Sequence, residues 1–317
     1  MLRFTLHRLL LLAPVLIAVS ILVFAMMAMV GGDPARVILG AQATDERVEE
    51  LRRAMALDEP LPAQYFNWIG NALRGDLGRA YSLERPVLDE VRERLGPTLL
   101  LAGTAFLICS IAGLAAGAWM AARQGGGGDR VLSVLVAVGI STPSFWLGLV
   151  LILAFAVRFP LLPAGGMQSV MPLHHTLDIL KHLLLPAMTL GLVATGIVAR
   201  LMRSQMLDVL RQDFIRTARA KGVPEPRVIR RHAFKNALAN MTSVLGVQAG
   251  FVIGGAVYVE TIFQWPGIGR MLVDAIATRD LLLVQGGVLV VTFCYILVNL
   301  LADLAQHALD PRLRETP

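Results

Sequence analysis

Residues 205–238 read QMLDVLRQDFIRTARAKGVPEPRVIRRHAFKNAL, a strongly basic segment set between two long apolar runs. Leu207, Leu210, Phe214 and Ala218 recur at steps of three and four, which predicts one helical face. Gly222 followed by Pro224 stops that helix and permits a sharp turn into a second short one. A charged helix–turn–helix wedged between apolar runs is suited to docking in the aqueous phase rather than lying in lipid.

The flanking runs set the class. The 317 residues are 56% hydrophobic and only 16% charged, with a mean hydropathy of +0.64, which indicates a polytopic membrane protein rather than a soluble domain. Six stretches are long enough to cross a bilayer: Leu9–Val30, Leu99–Ala122, Val131–Val157, Leu183–Met202, Met241–Val259 and Leu281–Leu301. The first follows Arg3 and Arg8 and could pass for a signal peptide, but its 22 residues exceed a signal core and predict a retained span. The expected fold is therefore all-α, with six transmembrane helices.

Charge orients the bundle. Arg3 and Arg8, Arg123 and Arg130, ten Lys/Arg from Arg200 to Lys235, and Arg312 with Arg314 all fall on one side. The opposite short loops carry Arg158, Lys181, Arg270 and Arg279, offset by Asp178, Asp274 and Asp280. The positive-inside rule places both termini and the basic loop in the cytoplasm. The formal charge of +6 thus reflects loops facing anionic lipid and soluble partners, and not nucleic-acid binding. Cys109 and Cys294 each lie in an apolar run and read as small packing residues.

Three regions follow: 1–30, 31–98 and 99–317. The external segment 31–98 holds nine arginines against twelve Asp/Glu, and such long loops translocate largely regardless of charge. Patches at Val48–Leu51–Ala54–Met55 and Tyr65–Trp68–Ile69–Leu73 predict a small helical insertion, with Tyr65 and Trp68 at the membrane surface. Gly32-Asp33-Pro34 and Gly75-Asp76-Leu77-Gly78 read as turns, with Asp as the cap.

Small residues mark helix contacts. Ala187, Gly191, Thr195 and Ala199 repeat at intervals of four, as do Gly246, Gly250 and Gly254, and also Gly113 with Gly117. Such spacing lets backbones approach in lipid, within the chain or with a second subunit, and it could also line a pore. Pro143 and Pro186 interrupt spans three and four and read either as packing kinks or as gating hinges.

Nothing in the sequence forms a catalytic constellation. Four glycines after Arg123 invite comparison with a phosphate loop, but none of the three lysines follows a glycine, so no Walker-type nucleotide site is present. His174, His175 and His182 share one loop, where a surface role outweighs metal ligation because adjacent residues rarely converge on one ion. Glu260 sits where span five meets the exterior, ahead of a turn at Trp265, Pro266, Gly267 and Gly269. A carboxylate at that depth should face water or a partner.

Several of these stretches carry a family resemblance. Arg216-Thr217-Ala218-Arg219-Ala220-Lys221-Gly222 resembles the cytoplasmic coupling loop of the membrane subunits of ABC importers, in particular the dipeptide/oligopeptide/nickel branch. The general motif begins Glu-Ala-Ala with Gly four residues after the second Ala; here Arg216, Thr217 and Ala218 hold the first places and Gly222 the last. The usual Ile-x-Leu-Pro ending is replaced around His232, Phe234 and Lys235. The stretch 259–270, VETIFQWPGIGR, looks closely like the signature of that branch, and Gly32–Pro34, Gly75–Gly78, Arg85–Val87, Asn299–Asp303 and Leu309–Arg312 are similar to it as well, so the likeness runs the length of the chain.

What the resemblance implies is a type I ABC importer permease (MetI-like) fold. A second, similar permease would be the partner in the membrane, with two ABC ATPases in the cytoplasm using ATP and Mg, and an extracytoplasmic binding protein delivering di- or oligopeptides. Glutathione or a nickel chelate is the alternative cargo, and an ion-driven secondary transporter the alternative class. The chain itself would be no enzyme and would bind no cofactor or metal. Phe214, Arg216, Thr217, Ala218, Arg219, Lys221 and Gly222 would couple to the ATPase, with Phe214 and Ala218 inserting into a cleft. Glu260 and Trp265–Gly269 would form an external gate or a binding-protein contact. The basic side chains of the loop could alternatively hold anionic lipid, at about 1 kcal/mol each.

Overall fold

The computed structural model describes residues 2–29, 31–40, 43–169 and 175–309, with the backbone alone for 2–11, 305 and 307–309. In chain order the helices are α1 (Leu2–Met29), α2 (Pro34–Leu39), α3 (Asp45–Ala54) and α4 (Leu61–Ala72). A two-residue hairpin, β1 (Arg79–Ala80) with β2 (Arg85–Pro86), leads into α5 (Val87–Ala122). Then come α6 (Gly127–Ser141), α7 (Ser144–Ile152), α8 (His175–Leu210), α9 (Asp213–Ala220), α10 (Glu225–Arg227), α11 (Phe234–Ile262), α12 (Ile268–Ala277) and α13 (Leu281–Leu309). Five elements among the described residues are long and apolar enough to cross a membrane, and six if the bent pair α6–α7 counts as one span. The expected all-α polytopic fold is what forms.

The chain divides into two compact units, Met1–Thr98 with Pro266–Ile296, and Leu99–Trp265 with Leu297–Pro317. The segment 31–98 lies wholly within the first of these units. Its last residues already belong to α5, and its core is shared with α12 and the start of α13.

In the first unit, α1 shows an almost wholly exposed apolar surface, including Ile17, Ile21, Leu22 and Met26, as expected of a helix facing lipid. The buried Ser20 donates to the Ile17 carbonyl and meets the Tyr65 hydroxyl at 2.8 Å. Tyr65 also stacks edge-on against Phe24, and Trp68 is only 7% exposed. Both aromatics pack against neighbours within the unit, because α4 turns its apolar face onto α1.

The turn readings hold in detail. Asp33 caps α2 by accepting from Ala35 N at 3.0 Å, with Pro34 at the first helical position. Asp76 accepts from Gly78 N at 2.8 Å, and Gly75 and Gly78 take φ of +88° and +85°. Leu77 between them enters a core with Val87, Val91, Ile268, Met271 and Leu283. Asp280, fully buried at the start of α13, accepts from Ser82 N (2.8 Å), Ser82 Oγ (2.7 Å) and Leu283 N (3.3 Å), so one carboxylate fixes both the hairpin and a helix end. The Thr98 hydroxyl accepts from Ile268 N at 2.8 Å and seats the first turn of α12.

The second unit is built around α8, the most buried of the long helices. Its small-residue face meets α5 and α6 within the chain. Gly191 lies against Ala105 O and Ile108, Gly113 of α5 against Val198, Gly117 against Ala199 O and Met202, and Gly196 against Ile140. Ala187 is fully buried. The α11 stripe divides: Gly246 faces Ala302 and Gly250 is buried, but Gly254 meets nothing within 4 Å.

Span three departs from expectation. Val131–Val157 is not one helix but two, α6 and α7, set at 104° across Thr142-Pro143. Proline cannot donate into the helix and pushes the residue before it into extended geometry, and Thr142 sits at φ −81°, ψ 125°. A π-helical stretch, Leu153–Arg158, then carries the chain to Gly165-Gly166, where Gly166 N donates to Phe263 O at 2.8 Å. Pro186, by contrast, is accommodated inside the continuous α8.

Candidate coupling surface

The basic segment forms a different helix–turn–helix from the one its periodicity predicts. α8 ends at Leu210, and extended backbone at Gln212 (ψ 152°) starts a new helix, α9. Leu207 and Leu210 therefore belong to a span, and Phe214 and Ala218 to α9. Gly222, at φ +77°, ends the turn, with Val223 N returning to Ala218 O at 3.2 Å. No separate short helix follows: from Glu225, α10 and the π-helical Val228–Ala233 run directly into α11, a single apolar element to Ile262.

α9 is strongly two-faced. Ile215, fully buried, turns inward onto a core with Met206, Val209, Val228, Ala233 and Ala237, and Ala218 is 9% exposed. Phe214 points the other way and is 41% exposed. Ala218, four residues on from Phe214 and three on from Ile215, lies between the exposed and the buried flanks of α9 and is itself nearly covered. Ile215, three residues before Ala218, is the inward anchor that reading the periodicity from Leu207 passed over.

The remaining predicted positions surround Phe214. Arg216 reaches Asp213 at 3.4 Å, and Thr217 Oγ1 donates to Asp213 O at 3.0 Å. Arg219 forks onto Glu225 at 2.6 and 3.0 Å, tying α9 to the start of the next helix, and this pairing raises the pKa of the guanidinium above its ordinary value. Arg211, Lys221, Arg227, Arg230, Arg231 and Lys235 are all exposed. An exposed aromatic ring thus stands on a broadly cationic surface braced by two ion pairs. Such a surface can receive a complementary apolar slot with an acidic rim.

A buried ion pair that the sequence reading did not single out lies behind this surface. Asp129, in the first turn of α6, accepts from Arg203 Nε and Nη2 of α8, both at 2.8 Å, and from Gly125 N at 2.9 Å. The signal was a single acid directly after four glycines in an otherwise basic loop.

The other expected site is an interior one. Glu260 and Trp265 are both fully buried at the end of α11, where Trp265 N donates to Glu260 O at 2.8 Å. Gly267 and Gly269 are likewise buried, at the start of α12, with Pro266 half-buried. Glu260 therefore faces neighbouring protein groups rather than solvent. The tight turn with Gln264 at φ +50° folds both side chains inward. Of the histidines, His174 lies outside the described residues, and His182 is no loop residue: it is buried in α8, with Nδ1 at 2.9 Å from Asp178 O. Among the described residues, no three His, Cys, Asp or Glu side chains are placed to share an ion.

Several long apolar helices, with an exposed cationic turn between two of them, define an integral membrane protein. Residues 113–315 match the family described as the binding-protein-dependent transport system inner membrane component, and residues 1–102 match the N-terminal part of the same membrane component. The chain belongs to this family and is a multi-pass permease subunit of the inner membrane.

A Brucella ovis protein named as a peptide permease is 39% identical over 321 residues, covering 100% of both chains. A glutathione transport system permease protein of Escherichia coli K12 is 40% identical over 314 residues, covering 99% of each. Among solved structures, an inward-facing methionine ABC transporter, MetNI, matches with a TM-score of 0.59 at 15% identity, over 70% of this chain and 96% of that one. That likeness concerns the fold alone, and it agrees with the expected MetI-like arrangement.

Proposed function

We propose that the chain forms half of the membrane path of an ATP-driven importer for di- or oligopeptides, handed over by an extracytoplasmic binding protein. The observation that carries this is α9: a short helix between two spans, anchored by Ile215 and presenting Phe214 among exposed arginines. In this reading two cytoplasmic ABC ATPases seat that ring, with Arg216, Thr217, Arg219 and Lys221 orienting the approach and Ala218 and Gly222 shaping the turn. They would supply the ATP and Mg chemistry that this chain's sequence has no loop to perform. Both termini and the basic surface would face the cytoplasm, and 31–98 the exterior. A second permease would meet the exposed α11 face that carries Val247, Phe251, Gly254 and Tyr258.

Full-length relatives named for peptide and for glutathione support an amide-bonded cargo. Glutathione, itself a tripeptide, is the second reading, favoured by the Escherichia coli relatives.

The test is purification of the tagged chain from its native membrane in mild detergent, followed by uptake in proteoliposomes. A second permease and ATPase subunits should co-purify, and uptake of labelled peptide should require internal ATP and the binding protein. A chain that purifies alone and accumulates cargo under an ion gradient without ATP would sink the proposal.

A further inference from the structure

Residues 61–73, LPAQYFNWIGNAL, carry no charge at all, although they lie between Glu59 and Arg74 in a segment rich in both signs. They form α4 and the residue that follows it, and taken round that helix at 3.6 residues per turn they separate into three flanks. Tyr65, Trp68 and Ala72 make the inward flank, on which the Tyr65 hydroxyl meets Ser20 of α1 and its ring stacks edge-on against Phe24. Gln64, Asn67 and Asn71 make a polar flank: Gln64 Nε2 donates to Glu59 O at 2.7 Å, and Asn67 Nδ2 to Glu59 Oε2 at 2.9 Å. The third flank, with Pro62, Phe66, Ile69 and Leu73, is apolar and largely uncovered, Phe66 being 69% and Leu73 84% exposed. A helix surrounded by water on its outer side has no physical reason to keep half of that side free of polar groups.

The contact with α1 says what covers this flank. Ser20 lies nine residues inside the Met29 end of the apolar window Leu12–Met29, which is about 13 Å along the helix axis. At that level α1 itself exposes Ile21 and Leu22, as a helix in lipid does. A helix held there by Ser20 and Phe24 is carried to the depth of the bilayer, and its bare flank continues the lipid-facing surface of α1. We infer that α4 lies in the leaflet at the Met29 end of α1 as an interfacial helix, with Phe66 and Leu73 among acyl chains and the Gln64, Asn67 and Asn71 flank turned to headgroups and water. Its twelve residues extend about 18 Å, too short to cross the bilayer, so it stays within one leaflet. Arg74, exposed directly after Leu73, has the length to reach lipid phosphate from the helix end. The inference stands whether or not the proposed transport reading does, because it concerns only this chain and the lipid around it.

Nitroxide labels test this in the full-length chain, as purified and reconstituted in lipid nanodiscs. Cys109 is fully buried and stays in place, and Cys294→Ala removes the other thiol. Labels are placed one at a time through Phe66→Cys and Leu73→Cys, with Asn67→Cys as the polar-flank reference and Leu22→Cys as the lipid reference on α1. Paramagnetic resonance then measures relaxation by oxygen, which concentrates in acyl chains, and by a water-soluble nickel complex. The labels at 66 and 73 should respond to oxygen as the one at 22 does and lose the nickel response, while the label at 67 keeps it. If either variant fails to give a monodisperse protein, Ile69→Cys reads the same flank. Nickel relaxation at 66 and 73 equal to that at 67 would mean that the flank faces water. Protection from both reagents would mean that protein covers it. Either result would overturn the inference.

Discussion

Arg203 grips Asp129 with two parallel bonds of 2.8 Å, and the same carboxylate holds the glycine loop through Gly125 N. One acid therefore fixes the start of α6, the loop before it and the C-terminal part of α8. The guanidinium fork is what permits both oxygens to be used at once. Arg203→Ala strands a carboxylate that is only 4% exposed, and Asp129→Asn removes the charge but keeps one acceptor. Loss of about 2–3 kcal/mol is expected for the first and roughly half that for the second. Exchanging the two residues should not restore stability, since an arginine at 129 offers Gly125 N nothing to donate to. Thermal unfolding followed by fluorescence-detected size exclusion measures all three, and full recovery in the exchanged variant would contradict this account.

Phe214 and Ile215 are adjacent and should behave oppositely. Phe214→Ala removes an exposed ring and should leave the melting temperature within about 1 °C, while sharply reducing co-purification of ATPase subunits and uptake. Ile215→Ala empties a fully buried position and should cost about 2–4 kcal/mol of stability. Equal thermal losses in the two variants would argue against a docking role for the ring.

The glycines of the small-residue stripes separate in the same way. A Cβ at Gly117 would lie 2.5 Å from Ala199 O and 2.6 Å from Met202 Cβ, so Gly117→Ala must force α5 from α8. Gly254→Ala meets open space and should be neutral for the chain's stability, or gain about 0.5–1 kcal/mol from helix propensity. Expression and melting of the isolated chain decide the first point. If Gly254→Leu instead blocks recovery of the second permease, α11 is confirmed as the shared face.

Asp280 joins elements far apart in sequence, so its loss should be felt at a distance. Asp280→Ala should destabilise by about 1–2 kcal/mol through the lost cap and the two bonds from Ser82. Hydrogen exchange should quicken at residues 79–86 as well as at the first turn of α13. Acceleration confined to α13 would show that the hairpin is held by packing alone.

The sequence made the spans, the turn chemistry of Asp33 and Asp76, and the basic loop legible, because each rests on local composition or a short-range bond. It misled where periodicity continued through a break: Leu207 and Leu210 are in phase with Phe214, and only the extended backbone at Gln212 separates them. The burial of Glu260 was not legible for a related reason. Hydropathy locates a residue along the membrane normal but does not say whether it faces in or out. Asp129 stands out as a lone acid in a basic loop, but its partner Arg203, 74 positions away, cannot be read from local sequence.

The break at Pro143 bears on how the chain enters the bilayer while it is being made. α6 has fifteen residues and extends about 22 Å, short of the roughly 30 Å hydrocarbon layer, and α7 adds only nine residues in another direction. Neither half is a sufficient insertion signal by itself. A nascent chain that has emerged only as far as Ile152 holds a segment that the translocation machinery has no reason to release sideways into lipid, until α8 arrives to receive it. Gly196, which lets Ile140 settle against α8, therefore contributes to assembly as well as to the finished fold.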